Sequence, residues 1–571
     1  MKAEKHAVLL MTCVLLGALI VTSSVQLRFA TGIANAAPTL EDRVRAWVTD
    51  QMRAQADVPI PMRDGLKLAA NIYRPNRPGK FPVIMAFTGH SKDVFWGHRD
   101  QTPAYEPYQP TNTMATDLLL GSTFEAVEPV FWVPYGYVVI CVDARGYGRS
   151  PGTMIPPGFS TIGKLAEEAM LSQGLWARDM YDAIEWAGTQ EWSNGNVGLD
   201  GVSILAFSQW RVAALNPPHL KAICPWEATT DFLREIAFRG GIPETKFGPT
   251  PHAPDPAWPP PPVENLPVPI QKGQDEFLAE ITVPALICGT WSDHGIHTYG
   301  EFRAWRKISS EHKWLYTHGL EKWAQYYSAD ARAIRKMFFD HFLKGIDNRI
   351  MRMPRVRLEV RDTVDKRIIR YEDEFPIART QYKELYLDGT TGTLDFKKAK
   401  DEGKVTYDSA SGEAVFVYKF EEDTELTGYM NLKLWVSPEQ ANDMDLFVTV
   451  RKLDANGNEV SFERALGWLR LSHRELNPNL STQWDPYLVR VVGEGDKVTP
   501  GKIVPCEIEI LPSSYLFHKG ETLRLGISGI FLGGKPFGFA HTVNKGAHSI
   551  YTGRGHDSYL LVPMIPQIDP S

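Results

Sequence analysis

The chain has 571 residues, more than one hydrophobic core organises, so two or three domains are expected. Its 43% hydrophobic and 23% charged residues are ordinary for a soluble globular protein. A formal net charge of -7 gives no basic field, and no lysine- or arginine-rich run contradicts it, so nucleic acid is not an expected partner.

At the N-terminus, Lys2 and Lys5 precede an apolar run over 7–21, and a polar stretch ends in Ile33-Ala-Asn-Ala-Ala37. This reads as an export signal cleaved after Ala36, which makes the mature protein secreted or periplasmic. An uncleaved membrane anchor through residues 7–25 is the rival, because that stretch nearly reaches the roughly 20 residues that span a bilayer. Cys13 lacks the small preceding residue of a lipoprotein box. Cys141, Cys224, Cys288 and Cys506 are widely spaced in apolar settings, so they read as buried free thiols rather than a disulfide framework. No C-x-x-C or Cys/His cluster calls for a structural metal, and no cofactor is expected.

From residue 58 the chain alternates strand and helix. Strands are expected at 82–86, 137–143, 197–200 and 220–224, with helices at 175–186 and directly after Ser203. That alternation predicts an α/β fold, a mainly parallel sheet with helices on both faces. A helical piece at 230–238 leads into a proline-crowded stretch at 249–269, which suits neither a core helix nor an inner strand. Residues 228–280 therefore read as an insertion over the sheet's carboxyl edge, a cap or else a plain surface loop. Strand character returns at 283–290 and 313–318, followed by a helix at 329–343. Beyond it come short alternating strands, 356–360, 432–436, 446–450 and 523–527, with turn residues such as Asn456-Gly457 between them.

Two serines compete as nucleophile. Gly148-Arg-Ser-Pro-Gly152 matches G-x-S-x-G literally, but Ser150 sits in a glycine-rich loop with no helix after it. Ser203 lies where the apolar strand Asn196-Val-Gly-Leu-Asp-Gly-Val202 turns straight into an apolar helix, with small Gly201 and Ala206 where the turn packs. That is the setting of a nucleophile elbow, with the Ile204 backbone N–H beside the hydroxyl as oxyanion donor. Asp293 falls just past one strand's carboxyl end and His318 at the end of its neighbour, so Ser203, Asp293 and His318 form the expected triad. Rival bases are His294 and His297. The run Asp293-His-Gly-Ile-His297 also resembles a metal cluster, but a zinc site would need a third ligand that sequence does not reveal.

These features, with Asp143-Ala-Arg-Gly-Tyr-Gly-Arg-Ser-Pro-Gly152, Gln190-Glu-Trp-Ser-Asn-Gly195, Trp291-Ser-Asp293 and Tyr316-Thr-His-Gly319, resemble the CocE/NonD hydrolases of the Xaa-Pro dipeptidyl-peptidase group. The resemblance implies an α/β-hydrolase domain over 37–352 with an inserted helical cap. It further implies an all-β jelly-roll (galactose-binding-like) domain over 353–571, which would wall the cleft or, less expectedly, bind carbohydrate. It implies a serine triad and a small-molecule ester or amide substrate. Two positions depart from the family pattern. His90, in Gly89-His-Ser-Lys92, stands where relatives carry an oxyanion-donating tyrosine, and Ile204 stands where they often carry tyrosine after the nucleophile.

The expected chemistry is acyl transfer through Ser203, with carboxylic ester hydrolysis ahead of peptidase or amino-ester hydrolase activity. Those alternatives require carboxylates that grip a free amine. Glu227 and Asp231 are the candidates, unless they are solvated acids at a helix start. A noncatalytic binding protein on a hydrolase frame is the reading from another class. Trp96, Phe131, Trp132 and Trp210 are candidate pocket walls by neighbourhood.

Overall fold

The computed structural model describes residues 50–93, 123–152, 161–231, 233–245, 276–293, 295–460, 464–533, 538–539 and 542–566. The signal or anchor segment, Trp96, His294 and the middle of the cap (246–275) lie outside the described residues. No described helix is long and apolar enough to cross a membrane. The chain divides into two compact units, one of residues 1–153, 178–201 and 217–222, the other of 154–177, 202–216 and 223–571.

In the first unit, β1 (Met52–Pro61) pairs antiparallel with β2 (Lys67–Pro75), and β2 antiparallel with β4 (Val138–Asp143). β3 (Phe81–Thr88) then runs parallel to both β4 and β5 (Ser193–Val202). The order is thus β1-β2-β4-β3-β5. Val-Val-Ile-Cys-Val-Asp of β4 is buried at every position, the continuous apolar run of a strand covered on both faces. Helix α1 (Thr161–Gly188) extends well upstream of the helix expected at 175–186.

The glycine-rich loop after β4 is built around Asp143, whose carboxylate accepts the backbone N–H groups of Lys92 and Arg149. Gly148 has φ 52°, and a Cβ there would lie 2.2 Å from that carboxylate, so only glycine lets the loop fold over it. Ser150 is fixed in the same loop. Its hydroxyl donates to the Asp143 carbonyl at 2.7 Å and accepts the Ala69 N–H at 2.9 Å. It is a structural loop serine, as its context predicts.

In the second unit, α2 (Ile204–Ala213) precedes β6 (Leu220–Trp226), whose last four residues belong here. β6 runs parallel to β7 (Ala285–Thr290), β7 to β8 (Lys313–His318), and β8 to β9 (Val356–Arg361). Helices α3 (Thr298–Lys307) and α4 (Ala329–Lys344) are the crossovers that parallel pairing requires. α4 starts on a Ser328 side-chain cap and stops at Gly345 in the left-handed conformation. The segment at 356–360, expected among the C-terminal strands, instead extends this parallel sheet, because Leu315 and Val356 pair across it. β10 (Arg367–Glu372) returns antiparallel beside β9.

The remaining strands are mainly antiparallel around one apolar core that includes Leu432, Leu446, Ile508, Leu525 and Leu560. Its spine is β11 (Thr424–Pro438) paired with β12 (Val504–Phe517). Alternating Leu426, Met430, Leu432, Leu434 and Val436 supply the inward face of β11, the period-two pattern of a half-covered strand. The helix expected at 230–238 is shorter: a π-helical turn (Leu233–Ala237) leading into a two-residue hairpin, Phe238–Arg239 with Ile242–Pro243. That hairpin docks on the all-β region, where the Gly240 carbonyl accepts the Arg470 N–H at 2.7 Å.

Candidate active site

Ser203 stands between the end of β5 and the first turn of α2 with φ 58° and ψ -120°. A serine in that region costs about 1–3 kcal/mol and persists only where the surroundings impose it. Here its N–H donates to the Trp226 carbonyl at 3.0 Å, and its own carbonyl accepts from Ala206 and Phe207 as the helix opens. The strain turns the hydroxyl out of both elements. Ile204 leads α2, so its N–H is among the donors that a helix start leaves without an intrahelical acceptor.

The Ser203 hydroxyl lies 3.1 Å from Nε2 of His297, and Nδ1 of the same ring lies 2.6 Å from Oδ2 of Asp293. This is the nitrogen assignment a general base needs: with Nδ1–H held by the carboxylate, Nε2 is free to accept the serine proton. The backbone explains the placement. Past the end of β7 the Asp293 carbonyl accepts the N–H groups of Ile296, His297 and Thr298, winding the chain into a single turn. The Thr298 hydroxyl ties that turn to the Thr290 carbonyl at 2.9 Å, and α3 begins at the next step. Four residues apart on one turn, Asp293 and His297 share a face.

His318 sits elsewhere. It ends β8 fully buried, its ring stacked on Trp226, with Nε2 2.9 Å from Oε1 of Glu227 in an approach poorly aligned for a hydrogen bond. Burial lowers its pKa to about 4, so the ring is neutral. Of the expected trio, Ser203 and Asp293 therefore meet on a histidine, and that histidine is His297. The strand-end criterion selected His318; the turn after Asp293 brings in a residue that criterion passes over.

Two acids complete the surroundings. Burial pushes the Asp293 carboxyl upward, but the electrostatic and hydrogen-bonding effects of His297 and Lys322, whose Nζ is 3.5 Å from Oδ2, outweigh it and hold the carboxyl well below the usual range. Glu227 is the reverse: burial raises it well above the ordinary carboxyl value despite Lys322. It carries φ 52°, the second strained residue at a strand end beside Ser203. Neither Glu227 nor Asp231 is a solvated helix-start acid, since they are 0% and 1% exposed.

Glu227, Asp293 and His297 present ligand atoms all within 4.8 Å of one another, so Glu227 is the third ligand that a metal reading of this segment lacked. The Lys322 ammonium against Asp293 opposes a divalent cation there, and His297 already spends Nδ1 on Asp293. The arrangement suits proton transfer better than metal binding.

His90 belongs to the first unit. Its Nε2 lies 3.2 Å from Glu125 and its ring edge meets Phe124, so the imidazole expected to serve an oxyanion has a carboxylate competing for that nitrogen. Trp132 and Trp210, proposed as pocket walls, are fully buried core residues, and Phe131 is half-buried with its ring edge-on to Trp132. The four described cysteines are buried thiols, not joined in disulfides.

Residues 64–254 match the X-Pro dipeptidyl-peptidase (S15 family) model, and residues 348–561 match the X-Pro dipeptidyl-peptidase C-terminal non-catalytic domain. A crystal structure of a CocE/NonD family hydrolase from Staphylococcus aureus is 38% identical, covering 90% of this chain and 94% of that one with a TM-score of 0.76. Cocaine esterase from Rhodococcus sp. (strain MB1 Bresler) is 32% identical over 181 residues, 31% of this chain and only 24% of the esterase. An aminopeptidase from the marine sediment archaeon Thaumarchaeota archaeon shares the fold at 14% identity, with a TM-score of 0.66 over 95% of this chain and 99% of that one. The fold is thus that of an α/β-hydrolase followed by an all-β C-terminal domain.

Proposed function

Within the CocE/NonD hydrolase family, to which this chain belongs, we propose that it is a serine esterase in which Ser203 is the nucleophile, His297 the base and Asp293 the orienting acid. Family membership carries the coarser statement: the protein is a serine hydrolase of the CocE/NonD and S15 kind, esterase or peptidase. The observation that carries the finer one is the strained Ser203 elbow with its hydroxyl on a carboxylate-backed imidazole.

His297 Nε2 takes the Ser203 proton as Oγ attacks the substrate carbonyl, and Asp293 stabilises the imidazolium that forms. The Ile204 N–H faces the developing oxyanion. His297 then returns the proton to the leaving alcohol, and water, deprotonated by the same ring, releases the acyl group. Esters are favoured over X-Pro peptides because the two acids available to grip a substrate amine are unsuited to it. Glu227 is buried, held toward its neutral form and set against His318, while Asp231 is buried beside Arg234 at 3.6 Å.

His318 is the second reading for the base. It ends the strand beside β7, in the Tyr316-Thr-His-Gly319 segment that carries the family resemblance, and Glu227 is its acid partner there. Steady-state rates on p-nitrophenyl esters and X-Pro-p-nitroanilides, measured for the wild type, His297→Gln and His318→Gln, test both questions. Turnover of esters over anilides, abolished only in His297→Gln, supports the proposal. Anilide preference overturns the esterase assignment, and loss confined to His318→Gln moves the base to His318.

A further inference from the structure

β9 pairs in parallel with β12 of the all-β region at Arg361 and Tyr515, both within the second unit. At that junction Arg361 is 1% exposed, its guanidinium 4.4 Å from the centre of the Tyr515 ring. The guanidinium reaches in two directions. Nε donates to the Ser514 carbonyl at 3.2 Å and Nη2 to the Ser513 hydroxyl at 2.6 Å, both on β12, while Nη1 donates to the Trp291 carbonyl at 3.1 Å. The planar fork thus spans from the all-β spine to a residue two before Asp293.

Trp291 is where β7 gives way to the turn that carries Asp293 and His297. Its N–H donates to the His318 carbonyl at 2.7 Å, its indole N–H to the Glu359 carbonyl at 2.8 Å, and its ring stacks on Phe302 of α3 with centroids 4.9 Å apart. Those contacts hold the residue. The bond from Arg361 holds its carbonyl, and with it the plane of the peptide that leads toward Asp293. Gly319 leaves room for the arginine stem, since a Cβ there would lie 2.8 Å from Arg361 Cδ. Burying a guanidinium carries a desolvation cost that an apolar side chain of equal volume would avoid, so packing alone does not account for arginine here.

We propose that Arg361 is a positioning residue of the acyl-transfer site, fixing the peptide before Asp293 from the Ser513–Ser514 segment of β12. The region matched to the C-terminal non-catalytic domain thereby sets the orientation of the acid that holds the His297 ring. The proposal rests on the reading of Ser203, His297 and Asp293 as the triad.

The test is kcat and KM on a p-nitrophenyl ester, per folded molecule, for the wild type, Ser203→Ala, Arg361→Lys, Ser513→Ala and Ser150→Ala. A lysine keeps the charge but has no fork to reach β12 and Trp291 together, so Arg361→Lys should lower kcat on the order of 10²-fold, the effect of about 1 Å of misplacement. Ser513→Ala removes one anchor of the fork and should lower kcat by about 3- to 10-fold. In both, KM should stay within about twofold, because no substrate contact changes. Ser150→Ala, a loss of buried hydrogen bonds in the first unit, is the control for stability alone and should keep its kcat. If Arg361→Lys does not fold, Ser513→Ala decides. Wild-type kcat in Ser513→Ala or in folded Arg361→Lys, a rise in KM in place of a fall in kcat, or an equal fall in Ser150→Ala would overturn the proposal. Turnover that survives Ser203→Ala overturns the triad reading and the proposal with it.

Discussion

His297 stands four residues after Asp293 and takes that acid's carboxylate on Nδ1 at 2.6 Å while offering Nε2 to Ser203 at 3.1 Å. Acid and base are thereby carried on one turn, set by three N–H groups converging on the Asp293 carbonyl, rather than on two separate strand ends. Orientation of the imidazole then depends on a local backbone feature.

Asp293→Asn should keep this geometry and lose the activity. An amide in place of the carboxylate favours the wrong imidazole tautomer and no longer stabilises imidazolium, which costs on the order of 10⁴-fold in kcat. Pre-steady-state acylation measured with a p-nitrophenyl ester checks it, the acylation rate falling with ester binding unchanged.

Ser150→Ala separates the two G-x-S-like serines. The Ser150 hydroxyl joins the Ala69 N–H to the Asp143 carbonyl, so removing it leaves buried backbone groups unpaired and should lower stability by about 1–3 kcal/mol. Urea unfolding should show that loss while kcat/KM per folded molecule stays within about twofold of wild type, since RT is roughly 0.6 kcal/mol and no catalytic contact is touched.

Stability should fall on the alkaline side through Glu235. Burial raises this carboxyl to about 8, against the opposing pull of Arg303 and the hydrogen bonds from Thr230. Folding therefore takes up a proton at Glu235 between its ordinary carboxyl value and about 8. The stabilisation is complete below the unfolded value and is lost as pH rises through the folded one. His318, lowered to about 4, acts in the opposite sense, its contribution being complete above the ordinary imidazole value and lost as pH falls toward 4. Above the ordinary imidazole value only the Glu235 effect remains, so denaturation midpoints from pH 7 to 9 should decline for the wild type and decline less for Glu235→Gln.

Gly300→Ala tests how tightly α3 is held against the segment after Glu227. A Cβ at Gly300 would lie 2.5 Å from the Ala228 carbonyl and 2.7 Å from the Thr230 N–H nitrogen, backbone atoms that have no room to move aside. Overpacking of this kind costs about 1–3 kcal/mol, and because α3 begins at the residue after His297, the variant should also slow acylation. A variant with wild-type Tm and acylation rate would contradict the close packing.

Much of the architecture was legible because buried parallel strands carry long apolar runs. The strand expected at 313–318 is found at those residues, and the helix expected at 329–343 runs one residue further. The elbow was legible too, since a strand, a small residue and a helix in sequence leave little choice at Ser203. What escaped depends on contacts distant in the chain. Whether 356–361 joins the parallel sheet or the all-β region is settled by its pairing with β8, and its alternating composition suits either. His297 ranks only as a rival base in the sequence because its place comes from a turn closed by backbone hydrogen bonds. The Asp-x-x-x-His spacing, which puts two side chains on one face of a turn, was the signal available. The burial of Glu227 and Asp231 is set by the elements packed over them, and their own charged side chains carry no sign of it.

The central claim is that Ser203 is the nucleophile of a working acyl-transfer site. The most direct test is labelling of the purified protein with a fluorophosphonate, followed by peptide mapping, for the wild type, Ser203→Ala and Ser150→Ala. The account predicts a single adduct on the peptide containing Ser203, abolished in Ser203→Ala and retained in Ser150→Ala. An adduct on Ser150, or folded protein that takes up no label at all, would contradict it and favour a noncatalytic binding protein on the hydrolase frame.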